Sequence, residues 1–512
     1  MNMMKRSVQF KPELFANRAE EKQLFFDRVR AKTKQVYLEF NGVAGQGKSE
    51  FLKWIHATSQ QEEHCSAYID FEAAEYHRPE IYPILETIAD QLSDQLSPDV
   101  FHAFKATLAP YLQELRKAYH DSLSDAQTAD RRPLTDLENA LIAAFNDDLK
   151  SLLAARKLVL CLDSTEKAYR LAISSFEDQI LKGYTGCQNF MLVTAGQEEL
   201  AWRTTEIKDL IEQHDLPRFT VTGAQEQLAS LAATKHFGVE ARDREVILQK
   251  MLELTQGHPF SNYKLIDFWT DGFTSPLTKT VVEAQFARSI RELSRKVVEE
   301  KILGKFQLSA EYPLVNEILW FLAPLRHIEF DSFKYVLSTF LADWFQGKRY
   351  LFFQKLMGEF QKTYIFKRWQ LGSGFDLDPV VRNILLLDMR VNFPETFRKV
   401  EETLATLYDT WVANTHDATQ IRNMIERLYH YATYLREIQT KDFDGRMQQE
   451  LRRYLDTYFY ADAPEHTKPL YNQLSRLQNT LEEDEELLTL TQTANLLEMI
   501  AERLKHSAES EE

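Results

Sequence analysis

The stretch that decides the fold is Gly42-Val43-Ala44-Gly45-Gln46-Gly47-Lys48-Ser49, which matches the pattern G-x-x-x-x-G-K-[S/T] at every fixed position. Before it, residues 35–40 are mostly β-branched and aromatic, which predicts a strand that ends where the glycines begin. After it, residues 50–56 are predicted to be helical. Because the motif requires a strand, a loop and a helix in this order, the stretch predicts a phosphate-binding loop rather than a glycine turn with an incidental lysine.

The loop predicts a specific chemistry. Glycines allow backbone N–H groups to point inward at phosphate oxygens, and the following helix directs its positive end at the same place. Lys48 can then reach the β- and γ-phosphates, and Ser49 can bind Mg²⁺. We therefore expect ATP or ADP with Mg²⁺ as the ligand. The residues expected to bind it in this stretch are Gly42, Gly45, Gln46, Gly47, Lys48, Ser49 and Glu50.

The composition is that of a soluble protein with several domains. The 512 residues suffice for about three or four domains, and 44% hydrophobic with 27% charged residues is ordinary for globular proteins. We find no apolar run of membrane-spanning length and no secretory signal at the N-terminus. The cysteines, Cys65, Cys161 and Cys187, show no metal-ligand spacing and suit a reducing compartment. We therefore expect a cytoplasmic protein without a membrane partner.

A second landmark is the stretch 158–163, in which apolar residues end in Asp163. This pattern predicts a central parallel strand with a carboxylate at its carboxyl end, where α/β sheets bind their ligands. An acid that organises Mg²⁺ must lie at that edge, so we assign Asp163 as the Walker B aspartate. Ser164 follows it directly, and Glu166 comes three positions after it. Glu166 is a candidate for the carboxylate that activates water, or it caps or solvates the next helix.

The remaining sequence predicts further domains. Strands and helices alternate up to about residue 222, which indicates a mostly parallel sheet. Helices follow, with Gly257-His258-Pro259 between two of them. From residue 286, helices lead into a hairpin signal around Gly372-Ser373-Gly374, which describes a winged helix. The predicted domains are 1–222, an α/β P-loop NTPase domain; 223–285, a helical subdomain; 286–392, a winged-helix domain; and 393–512, an all-helical C-terminal region.

Five features, in this order, resemble the STAND class of signalling P-loop NTPases, which includes NACHT and NB-ARC proteins. They are Phe15-Ala16-Asn17-Arg18, the phosphate loop, Leu162-Asp163-Ser164-Thr165-Glu166, Gly257-His258-Pro259, and the winged helix closing with Asp378-Pro379-Val380-Val381-Arg382. In that class the F-x-N-R segment lies against the adenine and the proline of the G-x-P element packs near the base. The resemblance therefore implies nucleotide contacts for Asn17, Arg18 and Pro259. It also implies a NACHT form of Walker B, in which an acid follows the metal aspartate by three positions.

Two positions depart from the class. Many relatives have an arginine after the sensor strand that reaches the γ-phosphate, whereas this chain has Gln197, which can form a hydrogen bond but supplies no charge. The winged-helix histidine that senses ADP in the NB-ARC branch aligns with Asp378. Both departures bear on the rate of turnover, so the resemblance implies an ATPase of low turnover. Its catalytic set is Lys48, Asp163, Glu166 and Gln197.

By this resemblance, the chain is expected to be a nucleotide-controlled switch. In the class, exchange of ADP for ATP changes the angles between domains and exposes surfaces that drive oligomerisation or recruit an effector. The C-terminal helices usually detect the trigger. No effector domain is recognised before Phe15, so we expect a separate effector or sensor protein as the partner, with a homo-oligomer as a further possibility. An adaptor or sensor role in prokaryotic defence or signalling follows.

Two other functions stay open from the sequence. An ATP-dependent DNA-binding initiator, similar to archaeal origin-recognition ATPases, also joins a P-loop domain to a winged helix. Basic residues and a tryptophan lie in or near the predicted wing: Lys348, Arg349, Lys362, Lys367, Arg368 and Trp369. A net charge of −16 opposes nucleic-acid binding, and a solvated edge explains the same lysines. A scaffold that binds nucleotide without turnover also agrees with Gln197 and with the displaced acid Glu166.

Overall fold

The structure is a computed structural model in which the chain forms two compact units. The residues that it describes are 12, 15–31, 36–42, 45–123, 132–197, 199–270, 276–296, 314–361, 366–368, 374–459, 467–492 and 494–509. Unit 1 comprises Met1–Gln285 and unit 2 comprises Phe286–Glu512. Within the described ranges, no helix is both long enough and apolar enough to cross a bilayer.

Unit 1 is built on a parallel sheet of five strands. They are β1 (Tyr37–Asn41), β2 (Cys65–Asp70), β3 (Leu158–Asp163), β4 (Phe190–Gly196) and β5 (Ile211–Asp215). Their order across the sheet is β2-β3-β4-β1-β5, and every neighbouring pair is parallel. β1, β3 and β4 are buried along their whole length, as strands covered on both faces must be. The predicted parallel α/β sheet is therefore confirmed, and with the phosphate loop after β1 the fold is that of a P-loop NTPase domain.

Helices pack on both faces of this sheet, with α2 and α1 on one face and α3 and α5 on the other. The helices up to the end of unit 1 are α1 (Ala19–Arg30), α2 (Lys48–Gln61), α3 (Tyr82–Gln95), α4 (His102–Leu123), α5 (Arg132–Ala155), α6 (Arg170–Gln179), α7 (Thr205–Lys208), α8 (Val221–Lys235), α9 (Arg244–Thr255), α10 (Pro259–Thr270) and α11 (Lys279–Lys296), which contains the division between the units. Because successive side chains of a strand point to opposite faces, β3 contributes to two cores. Cys161 joins Phe51 of α2 in one core, and Leu160 joins Phe145 of α5 in the other. The phosphate loop thus connects a buried strand to a helix that packs on the sheet.

The sequence patterns did not reveal β5. Its residues are mostly polar, because an edge strand has one open side and does not need the apolar run of a central strand. It nevertheless pairs with β1 along its whole length. Arg28 of α1 holds it in place, since Nε and Nη2 donate to the two carboxylate oxygens of Glu212 at 2.7 and 2.9 Å. The formation of β5 therefore depends on contacts with residues that are distant in the sequence.

The first half of unit 2 combines helices with a small antiparallel hairpin. Its elements are α12 (Val315–Leu322), α13 (Phe330–Phe340), α14 (Ala342–Phe345), α15 (Tyr350–Gln361), β6 (Phe366–Arg368), β7 (Phe375–Leu377) and α16 (Pro379–Asn392). β6 and β7 pair antiparallel, so the predicted hairpin is confirmed. Ile328 forms a further antiparallel bridge to Phe375, with N···O distances of 2.7 and 3.1 Å. Asp378 caps α16, where its carboxylate accepts from the Val380 N–H at 2.9 Å.

The structure describes only some of the basic residues in and near the predicted wing. Lys362 and Trp369 lie outside the described residues, as do the side chains of Lys367 and Arg368. Lys348 and Arg349 are exposed just before α15. The winged-helix assignment and the domain boundaries within each unit stay predictions.

In the described residues after 393, the regular elements are helices, as predicted for this region. They are α17 (Pro394–Asn414), α18 (Asp417–Glu437), α19 (Phe443–Tyr458), α20 (Thr467–Glu482), α21 (Glu485–Leu490) and α22 (Leu496–Glu509). A buried arginine joins them to the preceding segment, since Arg326 pairs with Glu426 of α18 at 2.7 Å and with Asp484 at 2.6 Å. Although burial alone would raise the pKa of Glu426, the Arg326 guanidinium holds that pKa below its ordinary value. A buried ion-pair network thus links the two halves of unit 2.

A half-buried histidine fastens α2 to the sheet. The Nδ1 atom of His56 lies 2.9 Å from Ser66 Oγ on β2, and Ser66 Oγ in turn donates to the carbonyl oxygen of Val159 on β3 at 3.0 Å. Gln60 Nε2 lies 3.3 Å from His56 Nε2 and can donate to it when the imidazole is neutral. Burial lowers the pKa of His56 from 6.5 to about 4.

This burial predicts an acid-sensitive contribution to stability. The unfolded chain binds a proton at His56 below pH 6.5, whereas the folded chain binds it only near pH 4. The stabilisation is therefore present above pH 6.5 and lost as the pH falls towards 4. We expect the Tm of the wild type to fall more steeply over this range than that of His56→Gln, measured by thermal unfolding. The exposed His102→Gln is the control and should follow the wild type; parallel profiles for all three proteins would contradict the prediction.

Candidate functional site

The phosphate loop leaves β1 at Asn41 and leads into α2, which begins at Lys48. Gly45 and Gly47 have φ angles of 86° and 88°, in the left-handed region that glycine adopts without strain. Residues 43 and 44 of the loop lie outside the described part of the chain. Lys48 is only 8% exposed, and its Nζ atom donates to the carbonyl oxygen of Gly42 at 2.6 Å. The lysine is therefore held over the loop and does not extend into solvent.

The structure brings Ser49 and Asp163 together at the carboxyl edge of the sheet. Asp163 is 1% exposed, and its carboxylate accepts hydrogen bonds from the Ser49 hydroxyl and, at 2.8 Å, from the Ser164 N–H. A hydroxyl and a carboxylate are oxygen ligands of the kind that Mg²⁺ prefers, so these two residues fit that ion. Among the described residues, no three His, Cys, Asp or Glu side chains form a metal cluster. The other ligands of a metal here would be phosphate oxygens and water.

Two residues of β2 belong to the same edge, and sequence reasoning did not single them out. Tyr68 donates its phenol proton to Asp163 Oδ2 at 2.6 Å, and Asp70 lies directly across from Asp163 in the strand register. Burial raises the pKa of Asp163, and the hydrogen bonds from Tyr68 and Ser49 oppose that shift. Burial and the neighbouring Asp163 carboxylate also raise the pKa of Tyr68, so the phenol stays a donor. Only the pairing of β2 with β3 shows that these residues meet.

Glu166 and Gln197 form a specific pair. Glu166 lies in a short turn, Thr165–Lys167, ahead of α6. Its Oε2 atom accepts from the backbone N–H of Gln197, and its Oε1 atom accepts from Gln197 Nε2, both at 3.1 Å. The N-cap residue of α6 is Tyr169, so the Glu166 carboxylate binds Gln197 and does not cap that helix. The residue after the sensor strand thus fixes the candidate catalytic acid.

Several buried polar atoms at this edge have no hydrogen-bond partner among the described residues. They are Asn41 Oδ1, Gln46 Oε1, Thr194 Oγ1 and Gln197 Oε1. Leaving such an atom without a partner costs about 1–3 kcal/mol, so a group of them is uncommon in folded proteins. The amide oxygens accept hydrogen bonds only, and water on a metal ion or an amino or hydroxyl group of a nucleotide would satisfy them. This polar edge therefore fits a hydrated Mg²⁺–nucleotide ligand.

The segment before α1 binds the phosphate loop through hydrogen bonds from Arg18. Arg18 is 2% exposed, and its guanidinium donates to the carbonyl oxygens of Gln46 at 2.8 Å and Pro217 at 2.6 Å. The same group lies 5.0 Å from the ring centre of Phe219. Asn17 donates its backbone N–H to Glu226 of α8 at 2.7 Å. Arg18 therefore joins the loop to the segment after β5, while its expected contact with adenine stays a prediction.

The Gly257-His258-Pro259 segment and the residue after it contact the loop at Gly45. The Phe260 N–H donates to the carbonyl oxygen of Gly45 at 3.1 Å. The imidazole of His258 lies so close to Gly45 that a β-carbon there would be 2.6 Å from Cε1. Pro259 is buried at the start of α10. The role of glycine at position 45 is therefore double, because it permits the left-handed turn and the close approach of His258.

One predicted residue lies apart from these contacts. The carboxylate of Glu50 pairs with Lys53 at 2.8 Å on the exposed side of α2. The pair is the i,i+3 contact of a solvated helix face. Within the described contacts, its side chain takes no part in the arrangement of the loop.

Comparisons with known proteins identify no family. No protein-family model matches the chain, and no curated protein matches it. Similar solved structures include the RuvB Holliday junction branch migration motor of Thermotoga maritima, with 11% identity, a TM-score of 0.34, and 71% of this chain and 92% of that chain covered. Another is Drosophila ORC bound to DNA, with 13% identity, a TM-score of 0.26, and 74% and 96% covered. TM-scores this low support no conclusion about function.

The contacts of Arg18 predict that lysine cannot replace it. A lysine keeps the charge but lacks the planar fork that reaches two carbonyl oxygens. We expect Arg18→Lys to destabilise unit 1 by about 1.5–3 kcal/mol, the usual value of a hydrogen bond to a charged group. Thermal unfolding measures this loss, and hydrogen exchange should become faster at the amides of residues 45–49. Arg30→Lys, at a side chain that is 59% exposed, is the control. Unchanged exchange in Arg18→Lys would contradict the interpretation.

Proposed function

We propose that unit 1 binds ATP or ADP together with Mg²⁺ at the carboxyl edge of its sheet. The observation that supports this most directly is the arrangement of Lys48, Ser49 and Asp163 around the start of α2. Lys48 is buried over the loop, and Ser49 is hydrogen-bonded to Asp163. The lysine would bind phosphate oxygens, and the hydroxyl and the carboxylate would hold the metal. When bound, Mg²⁺ neutralises negative charge on the β- and γ-phosphates.

The proposed role is that of a signalling switch of the STAND class. Support comes from the contact between the loop and α10, because Phe260 and His258 touch Gly45 directly. A change in the phosphates bound by the loop would therefore alter the contacts that Gly45 makes with the first turn of α10. In this proposal, exchange of ADP for ATP opens the domains, exposes a surface for self-association and recruits a separate effector, as in prokaryotic defence.

Turnover in this switch is proposed to be slow. Glu166 is the candidate general base, and both of its carboxylate oxygens are occupied by Gln197. A base must accept a hydrogen bond from the water whose proton it takes, and the two bonds from Gln197 restrict the turning of the carboxylate towards that water. Gln197 also supplies no positive charge for the transition state. A scaffold that never hydrolyses nucleotide is the second candidate, and the same Glu166–Gln197 pair supports it.

The switch predicts a size that depends on nucleotide. We expect the elution volume and the scattering mass of the full chain to differ between ATP, ADP and no nucleotide. Lys48→Ala should lose the difference and bind ADP at least tenfold more weakly by calorimetry, because the phosphates lose their buried ammonium partner. Lys53→Ala, on the exposed face of α2, should behave as wild type. An unchanged size in every condition, despite measurable ADP binding, would overturn the switch but leave nucleotide binding intact.

The proposed base predicts a separation of binding from turnover. Glu166→Gln should lower steady-state phosphate release by about 100-fold, the lower range for a general base, without weakening nucleotide binding more than about twofold. Glu63→Gln, at an exposed glutamate after α2, is the matched control. If the wild type releases no detectable phosphate while binding ATP, the scaffold is favoured over the slow ATPase.

A further inference from the structure

We infer that Tyr68 is a positioning residue, whose phenol fixes the orientation of the Asp163 carboxylate for the metal ion. This inference rests on the proposed function, since it concerns the same magnesium-nucleotide site. Tyr68 donates to Oδ2 at 2.6 Å, and the Ser164 N–H donates to Oδ1 at 2.8 Å. With a donor on each oxygen, the carboxylate cannot rotate without breaking a hydrogen bond. Conserved partners of this kind orient metal ligands in many proteins.

The sheet places Tyr68 where only a long side chain can reach the carboxylate. Tyr68 pairs with Cys161 in the register, whereas Asp163 pairs with Asp70. Residues 68, 70, 161 and 163 therefore share one face, the face that α2 covers. Two residues along a strand span about 6.6 Å, so the phenol must extend nearly its full length to meet Oδ2. Phenylalanine at this position would fill the same space and lack only the donor.

The backbone of Tyr68 is itself fixed from the open side of β2. β2 is an edge strand, so its outward N–H and C=O groups need partners other than a strand. Gln91 of α3 supplies both, because its Oε1 atom accepts from the Tyr68 N–H at 2.8 Å and its Nε2 atom donates to the Tyr68 carbonyl oxygen at 2.7 Å. These two hydrogen bonds fix the backbone position from which the Tyr68 side chain extends. Asp163 is thus held by a chain of contacts from α3 through β2.

The test measures the dependence of ADP affinity on Mg²⁺ by calorimetry in wild type and Tyr68→Phe. We expect the apparent affinity for Mg²⁺ in the presence of ADP to fall about tenfold or more. The affinity for ADP in the presence of EDTA should stay within about twofold of wild type. A purely structural role would weaken ADP binding equally with and without the metal. Tyr76→Phe is the matched control, because Tyr76 is also buried and its hydroxyl lies 2.8 Å from Thr87 Oγ1.

A double-variant cycle keeps the inference testable if Tyr68→Phe alone loses stability. If Tyr68 acts through Asp163, adding Tyr68→Phe to Asp163→Asn should change the dependence on Mg²⁺ no further. An additional loss of similar size in that background would overturn the inference. A folded Tyr68→Phe variant whose ADP binding depends on Mg²⁺ as strongly as that of the wild type would also overturn the inference. By contrast, a wild type that binds no ADP with or without Mg²⁺ would overturn the proposed function itself.

Discussion

The candidate site depends on the burial of the Asp163 carboxylate, which is 1% exposed at the end of β3 and adjoins Ser49 at the start of α2. A buried carboxylate is costly unless donors surround it, and Ser49, Tyr68 and the Ser164 N–H provide them. These donors come from α2, β2 and the turn after β3, so all three must be in place before the carboxylate is satisfied. Asp163, the proposed metal ligand, is thereby part of the structural core.

A second constraint acts on the phosphate loop itself. The loop is attached to two distant segments, through the Arg18 guanidinium at the carbonyl oxygen of Gln46 and through the Phe260 N–H at the carbonyl oxygen of Gly45. Because both attachments use backbone carbonyls, they are compatible with N–H groups that stay available for phosphate. They also link the loop directly to α10 and, through Arg18 and Pro217, to the segment after β5. These links support the proposed switch, and the hydrogen bonds from Gln197 to Glu166 support the proposed slow turnover.

The sequence was informative where a pattern is local and strong. β1 to β4 are apolar runs, the loop has a fixed spacing, and Asp163 follows its strand directly, so each could be predicted from neighbouring residues. The hairpin of β6 and β7 was predictable for the same reason. β5 was missed because its polar residues are held by Arg28 and by pairing with β1.

Side-chain partners were beyond prediction where they depend on strand register or on long-range contacts. Tyr68 meets Asp163 only because β2 and β3 pair with Asp70 opposite Asp163. The pair of Glu166 and Gln197 joins residues that are separated by a whole helix and strand. A single sequence contains the identity of such residues but not their pairing. The side chain of Glu50 pairs with Lys53 on the exposed face of α2, and its expected contact with nucleotide stays a prediction.

Nucleotide binding at the phosphate loop is tested most directly by a crystal structure of the full chain grown with Mg²⁺ and ADP. We expect density for the diphosphate at the start of α2, with Lys48 Nζ moved from the carbonyl oxygen of Gly42 to a β-phosphate oxygen. We also expect a metal ion within reach of Ser49 Oγ and on the Asp163 side of the loop. Density for ADP at another place, with Lys48 still bonded to Gly42, would contradict the account.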